Sequence, residues 1–407
     1  MKKSSGLYLS AREASAELAI SPATLYAYVS RGLIRSEPTP DTRSHRYRAE
    51  DVRALKERRV PSPEPKGLRS FDADLPVMDS AIATITEEGP IYRGVNCVDL
   101  AEKDTLEHTA TLLWDVTAID PFAPDNCPHV SGEMRAIAEA ARRAAPIDRT
   151  IAVLALAASA DPGAFTRAPD GRALIGARIL RLAVATMLNA TPSVEPLHLQ
   201  IAKAWAGENK NAPDLIRRAL VLLADHELNA STFTVRCAAS TGLNLYDAVI
   251  AGLVALKGPK HGGAGVLASR LVKTLIDNDV EPVIRERVAP GERFAGFGHG
   301  VYKHGDPRAI SLLEALTRAG APRKFTREVP ERIAEATGEL VNIDYALAVL
   351  VHSLRLPAGS ELALFAMARM VGWLAHASEQ LQHGKLIRPR ARYVGPSPGR
   401  GGLPNGL

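Results

Sequence analysis

Ten alanine-rich stretches with apolar residues at three- and four-residue spacing fill most of this chain, near residues 131–145, 148–159, 173–188, 212–239, 244–256, 264–278, 308–318, 327–338, 341–353 and 360–383. That period places the apolar side chains on one face of a helix. Strand character is confined to 76–94 and 391–394, so the pattern predicts an all-α fold of stacked helices. A chain of 407 residues exceeds one ordinary core, and 46% apolar residues supply enough material for more than one. No stretch approaches the roughly 18 consecutive apolar residues of a membrane span. The basic start, Met1 to Gly6, runs into Leu7-Tyr8-Leu9-Ser10-Ala11-Arg12-Glu13 without the unbroken apolar core of a secretory signal, so a cytoplasmic protein is expected. Cys97, Cys127 and Cys237 are odd in number and far apart, which suggests neither a disulfide framework nor a metal cluster.

The first 60 residues form a pattern of their own. They hold 12 Lys and Arg against 7 Asp and Glu, and the rest of the chain balances at 38 of each, so the whole net charge of +5 sits in this segment. Ser10-Ala11-Arg12-Glu13 is a capping box that opens a helix to about Leu18. Ser21 followed by Pro22 starts a second helix, which Gly32 stops, and residues 49–59 read as a third. A polar loop between them carries Arg35, Arg43, His45, Arg46 and Arg48. The run from Ser21 to Ile34, together with His45-Arg46-Tyr47-Arg48-Ala49-Glu50-Asp51-Val52, resembles the winged helix-turn-helix of MerR and excisionase-type proteins. The resemblance implies a recognition helix with Thr24, Tyr26 and Tyr28 near DNA bases or phosphates, and Arg43 and Arg46 on the backbone. A protein-docking module is the alternative. Residues 61–70, rich in proline, are expected to be a linker.

Three segments combine histidine with glycine or acid in ways that core packing does not need. They are Asp225-His226-Glu227-Leu228-Asn229-Ala230-Ser231-Thr232, Gly258-Pro259-Lys260-His261-Gly262-Gly263-Ala264 and Gly296-Phe297-Gly298-His299-Gly300-Val301-Tyr302-Lys303. Glycines beside the imidazoles allow a ligand to approach the backbone closely. These segments suit an anionic substrate with imidazoles as proton donors. Metal binding competes, but no paired-ligand spacing such as His-x-x-x-His occurs within them, so no metal is expected.

In order and spacing the three segments resemble the citrate synthase family. So do Gly89-Pro90-Ile91-Tyr92-Arg93-Gly94, Asp306-Pro307-Arg308, Val341-Asn342-Ile343-Asp344-Tyr345, the stretch from Ala366 to Trp373, and Ile387-Arg388-Pro389-Arg390. The resemblance implies a large helical domain of 71–262 plus 355–395, a small domain of 263–354, and an active site between them, with 396–407 as a flexible tail. It implies an acyltransferase that condenses acetyl-CoA with oxaloacetate and hydrolyses citryl-CoA, with no cofactor beyond the thioester substrate. The 2-methylcitrate product from propionyl-CoA, or a ligand-sensing DNA-binding regulator with little turnover, are the alternatives. By the same resemblance Asp344 is the base, His261 the donor to the thioester oxygen and His299 the acid at the ketone. His226, Arg308, Arg369 and Arg388 hold oxaloacetate, and the last of these reaches across a homodimer. Tyr302 and Lys303 are candidates for the coenzyme A phosphates. Two positions depart from the expected pattern: Gly300 follows His299 where a larger, often basic, residue is usual, and Leu223 stands where many relatives have a further histidine.

Overall fold

The computed structural model describes residues 8–18, 20–30, 32–39, 45–59 and 78–395. The 61–70 linker, Arg43 and the 396–407 tail lie outside them.

The N-terminal part has three strands, β1 (Tyr8–Ser10), β2 (Ser36–Pro38) and β3 (His45–Arg48), and three helices, α1 (Ala11–Leu18), α2 (Pro22–Ser30) and α3 (Ala49–Arg59). The strands form an antiparallel sheet with β3 in the middle. Ser10 and Glu13 make the reciprocal capping bonds at α1, 2.7 and 3.3 Å, and Ser21 accepts from the Thr24 amide at α2. Gly32 ends α2 at φ +71°, a conformation that costs glycine little. Leu9, Leu18, Leu25, Ile34, Tyr47 and Val52 are buried and form the core of this part. Arg35 clasps Asp51 through two donors at 2.9 and 2.7 Å, which ties the chain after α2 to α3.

A small antiparallel sheet follows, made of β4 (Ala83–Thr86), β5 (Gly89–Tyr92) and β6 (Val95–Asn96). Then come α4 (Cys97–Lys103), α5 (Leu106–Trp114), α6 (Gly132–Ala140), α7 (Pro146–Ala160), α8 (Pro169–Met187), α9 (Leu197–Ala206), α10 (Ala212–Leu223), α11 (Ala230–Ala239) and α12 (Leu245–Leu256). The chain ends in α13 (Gly263–Asp277), α14 (Val280–Val288), α15 (Pro307–Arg318), α16 (Val329–Thr337), α17 (Ile343–Ser353) and α18 (Ser360–His383). Seventeen of the 24 residues of α18 are buried, so this helix lacks a solvent stripe and must run through the interior. It packs against α5, α8, α10, α11 and α12, with Trp373 fully enclosed. Beside it α13 and α15 both pack on α17, and α14 packs on α16. The N-terminal part touches this region: α3 lies on α16, and Arg53 donates to the Glu292 carbonyl at 3.3 Å.

Several expected boundaries shift for local reasons. The stretch 212–239 is two helices, broken at Ala224–Asn229, where Glu227 turns at φ +53° and the Asn229 side chain caps α11 through the Thr232 amide. The helix expected at 131–145 stops at Ala140, and Pro146 opens the next one. The start of the 327–338 helix is a π-turn, Lys324–Glu328. Residues 391–394 form no strand, contrary to expectation, because no neighbouring strand pairs with them. The helices α4, α5, α9 and α14 carry runs too short to stand out by periodicity, and Pro282 interrupts the pattern of the last.

Candidate active site

The break between α10 and α11 exists because its polar backbone is satisfied by a residue from far away. The Tyr92 hydroxyl of β5 lies within 3.3 Å of the Val221 and Leu222 carbonyls, donates to that of Asp225 at 3.0 Å and accepts from the Asp225 amide. Gly372 of α18 approaches so closely that a Cβ there would collide with the Asp225 carboxylate. His226 therefore leaves the helix at a fixed angle, and its Nε2 lies 2.9 Å from the Tyr302 hydroxyl.

His261 sits in the turn between α12 and α13, with Nε2 at 2.8 Å from Ser231 Oγ. Ser231 also receives the Trp373 indole N–H at 3.2 Å and donates its hydroxyl to Asn229 Oδ1 at 3.1 Å. His299 lies in the loop before α15. Its Nδ1 accepts the Val301 amide at 3.0 Å, which leaves the proton of a neutral ring on Nε2. Asp344 is the second residue of α17, where the Asn342 side chain caps its amide at 3.0 Å and also donates to the Gly298 carbonyl at 2.9 Å. That one asparagine fixes the base and the His299 loop together. Gly296 at φ +86° lets the loop lie on Tyr345, since a Cβ there would come within 2.6 Å of that side chain.

These elements enclose a cavity of about 180 Å³ whose wall includes His226, His261, His299, Arg308, Asp344 and Arg369. Arg369 donates Nε to the Leu223 carbonyl at 2.9 Å and lies over the Phe365 ring, and its buried Nη1 has no partner. That vacancy is a cationic donor waiting for an acceptor. Arg308 is differently placed: Asp306 already holds its Nε and Nη2 at 3.0 and 2.8 Å, so its guanidinium has a single edge left for a ligand.

Burial pushes the His261 and His299 pKa values down to about 4, reinforced by Arg369 for the first and Arg308 for the second. Burial, with Arg308, Arg369 and His299, takes His226 well below the usual imidazole range. Asp344 moves the other way, up to about 6, because burial outweighs the opposing Arg308 and Arg369 charges. Burial lowers Arg369 to about 10, with Asp225 opposing, whereas in Arg308 the Asp306 carboxylate overcomes burial and holds the proton more tightly. At neutral pH the cavity thus presents three uncharged imidazoles, the Asp344 carboxylate and two guanidinium ions.

Other residues named from the sequence fall elsewhere. Tyr302 is buried behind His226 and His299, its ring 4.6 Å from the latter, and so forms part of the cavity's supporting wall rather than a surface for phosphates. Lys303 and Arg388 are exposed and do not line the cavity of their own chain. In the N-terminal part Tyr26 is 55% exposed on α2, while Tyr28 is partly buried against the core and Thr24 shares its hydroxyl with Ser21. Arg46 pairs with Glu37 at 3.1 Å and stacks over Tyr8, so it is less free than its loop position suggests. Among the described residues, no three His, Cys, Asp or Glu side chains gather as metal ligands would. Asn229, Ser231, Glu361, Phe365 and Trp373 belong to the site or its support without having been singled out. Ser231 and Asn229 belong to the same sequence segment as His226, but their contacts to His261 and to the start of α11 are tertiary or capping bonds that the segment alone does not show.

Residues 68–390 match the family model described as citrate synthase, C-terminal domain. The chain belongs to the citrate synthase family. It is 41% identical over 190 residues to citrate synthase 2 of Bacillus subtilis, covering 45% of this chain and 51% of that protein. It is 30% identical over 337 residues to 2-methylcitrate synthase 1 of Corynebacterium glutamicum, covering 75% and 88%. The matched region spans about half the length of the first curated relatives. The solved citrate synthase of Thermotoga maritima superposes with a TM-score of 0.66 at 28% identity, over 81% of this chain and 96% of that one. A ternary complex of the Thermoplasma acidophilum citrate synthase with carboxymethyl coenzyme A and oxaloacetate gives 0.66 at 26% identity, over 82% and 97%.

Proposed function

We propose that the chain is a citrate-synthase-type acyltransferase that joins the α-carbon of an acyl-CoA to the ketone carbon of oxaloacetate. The observation that carries this reading is the convergence of Asp344, His261, His299 and the unpartnered Arg369 donor on one small cavity. Asp344, ionised at neutral pH but a stronger base than an ordinary aspartate, takes the proton from the thioester's α-carbon. A neutral His261 holds the developing enolate oxygen. Its Nε2 is fixed by the Ser231 hydroxyl at 2.8 Å, and that hydroxyl is itself held by the Trp373 indole and Asn229. The enol carbon then attacks the ketone, and His299 donates its Nε2 proton to the new alkoxide. Water cleaves the resulting thioester and releases CoA and the tricarboxylate.

Arg369 and the free edge of Arg308 hold the oxaloacetate carboxylates, with His226 beside them. Arg388 is exposed in its own chain, in keeping with a homodimer in which Arg388 of the partner subunit completes the site. Lys303 is the candidate for the coenzyme A phosphates. Acetyl-CoA is the preferred acyl donor in this reading, with propionyl-CoA and a 2-methylcitrate product as the alternative. Free CoA release in the presence of oxaloacetate and either thioester tests both. Release with neither would leave the regulator reading, in which the cavity binds ligand without turnover.

The N-terminal part supports a second role. The exposed Tyr26 on α2 and the charge excess of residues 1–60 favour DNA as its partner, in a winged helix-turn-helix arrangement. Among the described residues no helix is long and apolar enough to cross a membrane. A cytoplasmic site of action fits this reading.

A further inference from the structure

A second cavity, of about 430 Å³, lies between the turn after β5, the end of α5, the first turn of α8 and the C-terminal half of α18, and it shares no lining residue with the catalytic one. Arg172, the fourth residue of α8, lines it and is only 6% exposed. Its buried Nε has no hydrogen-bond partner, and no carboxylate offsets the burial that lowers its pKa. Three other buried arginines are satisfied. Arg149 donates to the carbonyls of Arg142, Thr186 and Met187, Arg181 to those of Phe122 and Ala123, and Arg308 is clasped by Asp306. A buried guanidinium N–H without an acceptor is costly, and an anion that supplies oxygens to the planar fork offsets that cost. Arg369 shows the same kind of vacancy in the catalytic cavity.

The surroundings suit such an occupant. Arg93 lines the same space, held by the Leu113 carbonyl at 3.0 Å and only loosely by the exposed Asp115 at 3.6 Å. The first turn of α8 has no side-chain cap, although Asp170 lies in it. Ser378 and Gln382 add polar groups from α18, Trp114 gives an apolar wall, and the Glu379 carboxylate, which also lines the space, is taken up by Arg236 and the Ala81 amide.

We propose that this cavity is a second binding site, for a small phosphate- or carboxylate-bearing anion held by Arg172 with Arg93. Trp114 ties its wall to α18 through a bond to the Val371 carbonyl at 3.0 Å, two residues beyond Arg369. The site stands independently of the catalytic reading.

The test is isothermal titration of the full chain with inorganic pyrophosphate and, separately, with succinate. It uses an Arg369→Gln background, which removes the unpartnered cation of the catalytic cavity. Saturable binding of one equivalent per chain is expected with at least one of the two probes, and the comparison tells phosphate from carboxylate preference. Arg172→Gln should weaken that binding about tenfold or more, the loss expected for one charge-assisted contact. Ser378→Glu places a carboxylate inside the cavity and should abolish binding while keeping Arg172, which guards against a folding defect in the first variant. Saturable binding that survives both substitutions, or no saturable binding of either probe, overturns the proposal. So does binding that is present in the native chain and lost with Arg369→Gln alone, because the anion then sits in the catalytic cavity.

Discussion

The acid side of the pH–rate profile should belong to Asp344. Its carboxyl is pushed from 3.8 to about 6 by burial, against the opposing charges of Arg308 and Arg369, while His261 and His299 stay uncharged above about 4. At about pH 5, one unit below that value, roughly one site in ten carries the ionised base, so kcat/KM should fall about tenfold from its plateau. An unperturbed aspartate would leave the rate almost unchanged at the same pH. The assay is initial-rate CoA release from acetyl-CoA and oxaloacetate between about pH 4.5 and 8, in buffers of constant ionic strength. Stability supplies an independent check with a definite sign. A group whose folded pKa is raised contributes stability below its unfolded value and loses it as pH rises through the folded one. The Asp344 contribution should therefore decline between about pH 4 and 6, and Asp344→Asn should remove that decline along with at least about a hundredfold of turnover. A flat rate profile down to about pH 4.5, or an Asp344→Asn protein with near-native rates, would refute the assignment of the base.

Three further outcomes are expected. Ser231→Ala should lower kcat about ten- to hundredfold with little change in the oxaloacetate KM, because it frees the His261 tautomer without touching the arginines; a change confined to KM would contradict this. Mixing Arg388→Ala with Asp344→Asn protein should restore roughly a quarter of native activity after subunit exchange, since one site of each mixed dimer then holds both intact groups. Heterodimers without activity would rule out a shared site. Binding of the full chain to DNA from its own upstream region should weaken steeply with salt and drop on Tyr26→Ala, whereas weak, sequence-independent binding would leave the N-terminal part as a docking module.

The helical architecture was largely readable, because α7, α8, α12, α13, α17 and α18 bury continuous apolar faces that periodicity reports. His226, His261, His299 and Asp344 of the cavity were readable through their glycine and acid neighbours and the family resemblance, whereas Glu361 was not. What stayed hidden depends on tertiary contact. The break at Asp225 is stabilised by Tyr92, more than 130 residues away, and the run of apolar residues through it looks like one helix. Nothing local shows that Asp306 consumes one edge of Arg308, or that Tyr302 faces inward to His226. Arg172 reads as an ordinary polar residue at a helix start, and only the fold encloses it.

The two buried arginines do more than attract a dianion. Arg308 is among the charges that lower His226, His299 and Asp344, and Arg369 among those that lower His226, His261 and Asp344. When oxaloacetate carboxylates pair with these cations, that lowering is lifted. The proton affinity of Asp344 then rises as its site loses water, which makes it a stronger base only once the electrophile is in place. Two consequences are measurable. The acid limb in kcat, which reports the substrate-bound site, should lie at higher pH than the limb in kcat/KM, which reports the free one. Exchange of the acetyl-CoA methyl protons with deuterated water should be slow with the thioester alone and faster when a non-reactive dicarboxylate analogue of oxaloacetate fills the cavity. Exchange at the same rate without any dicarboxylate would mean that the arginines do not govern the base, and that closure or thioester binding alone sets its strength.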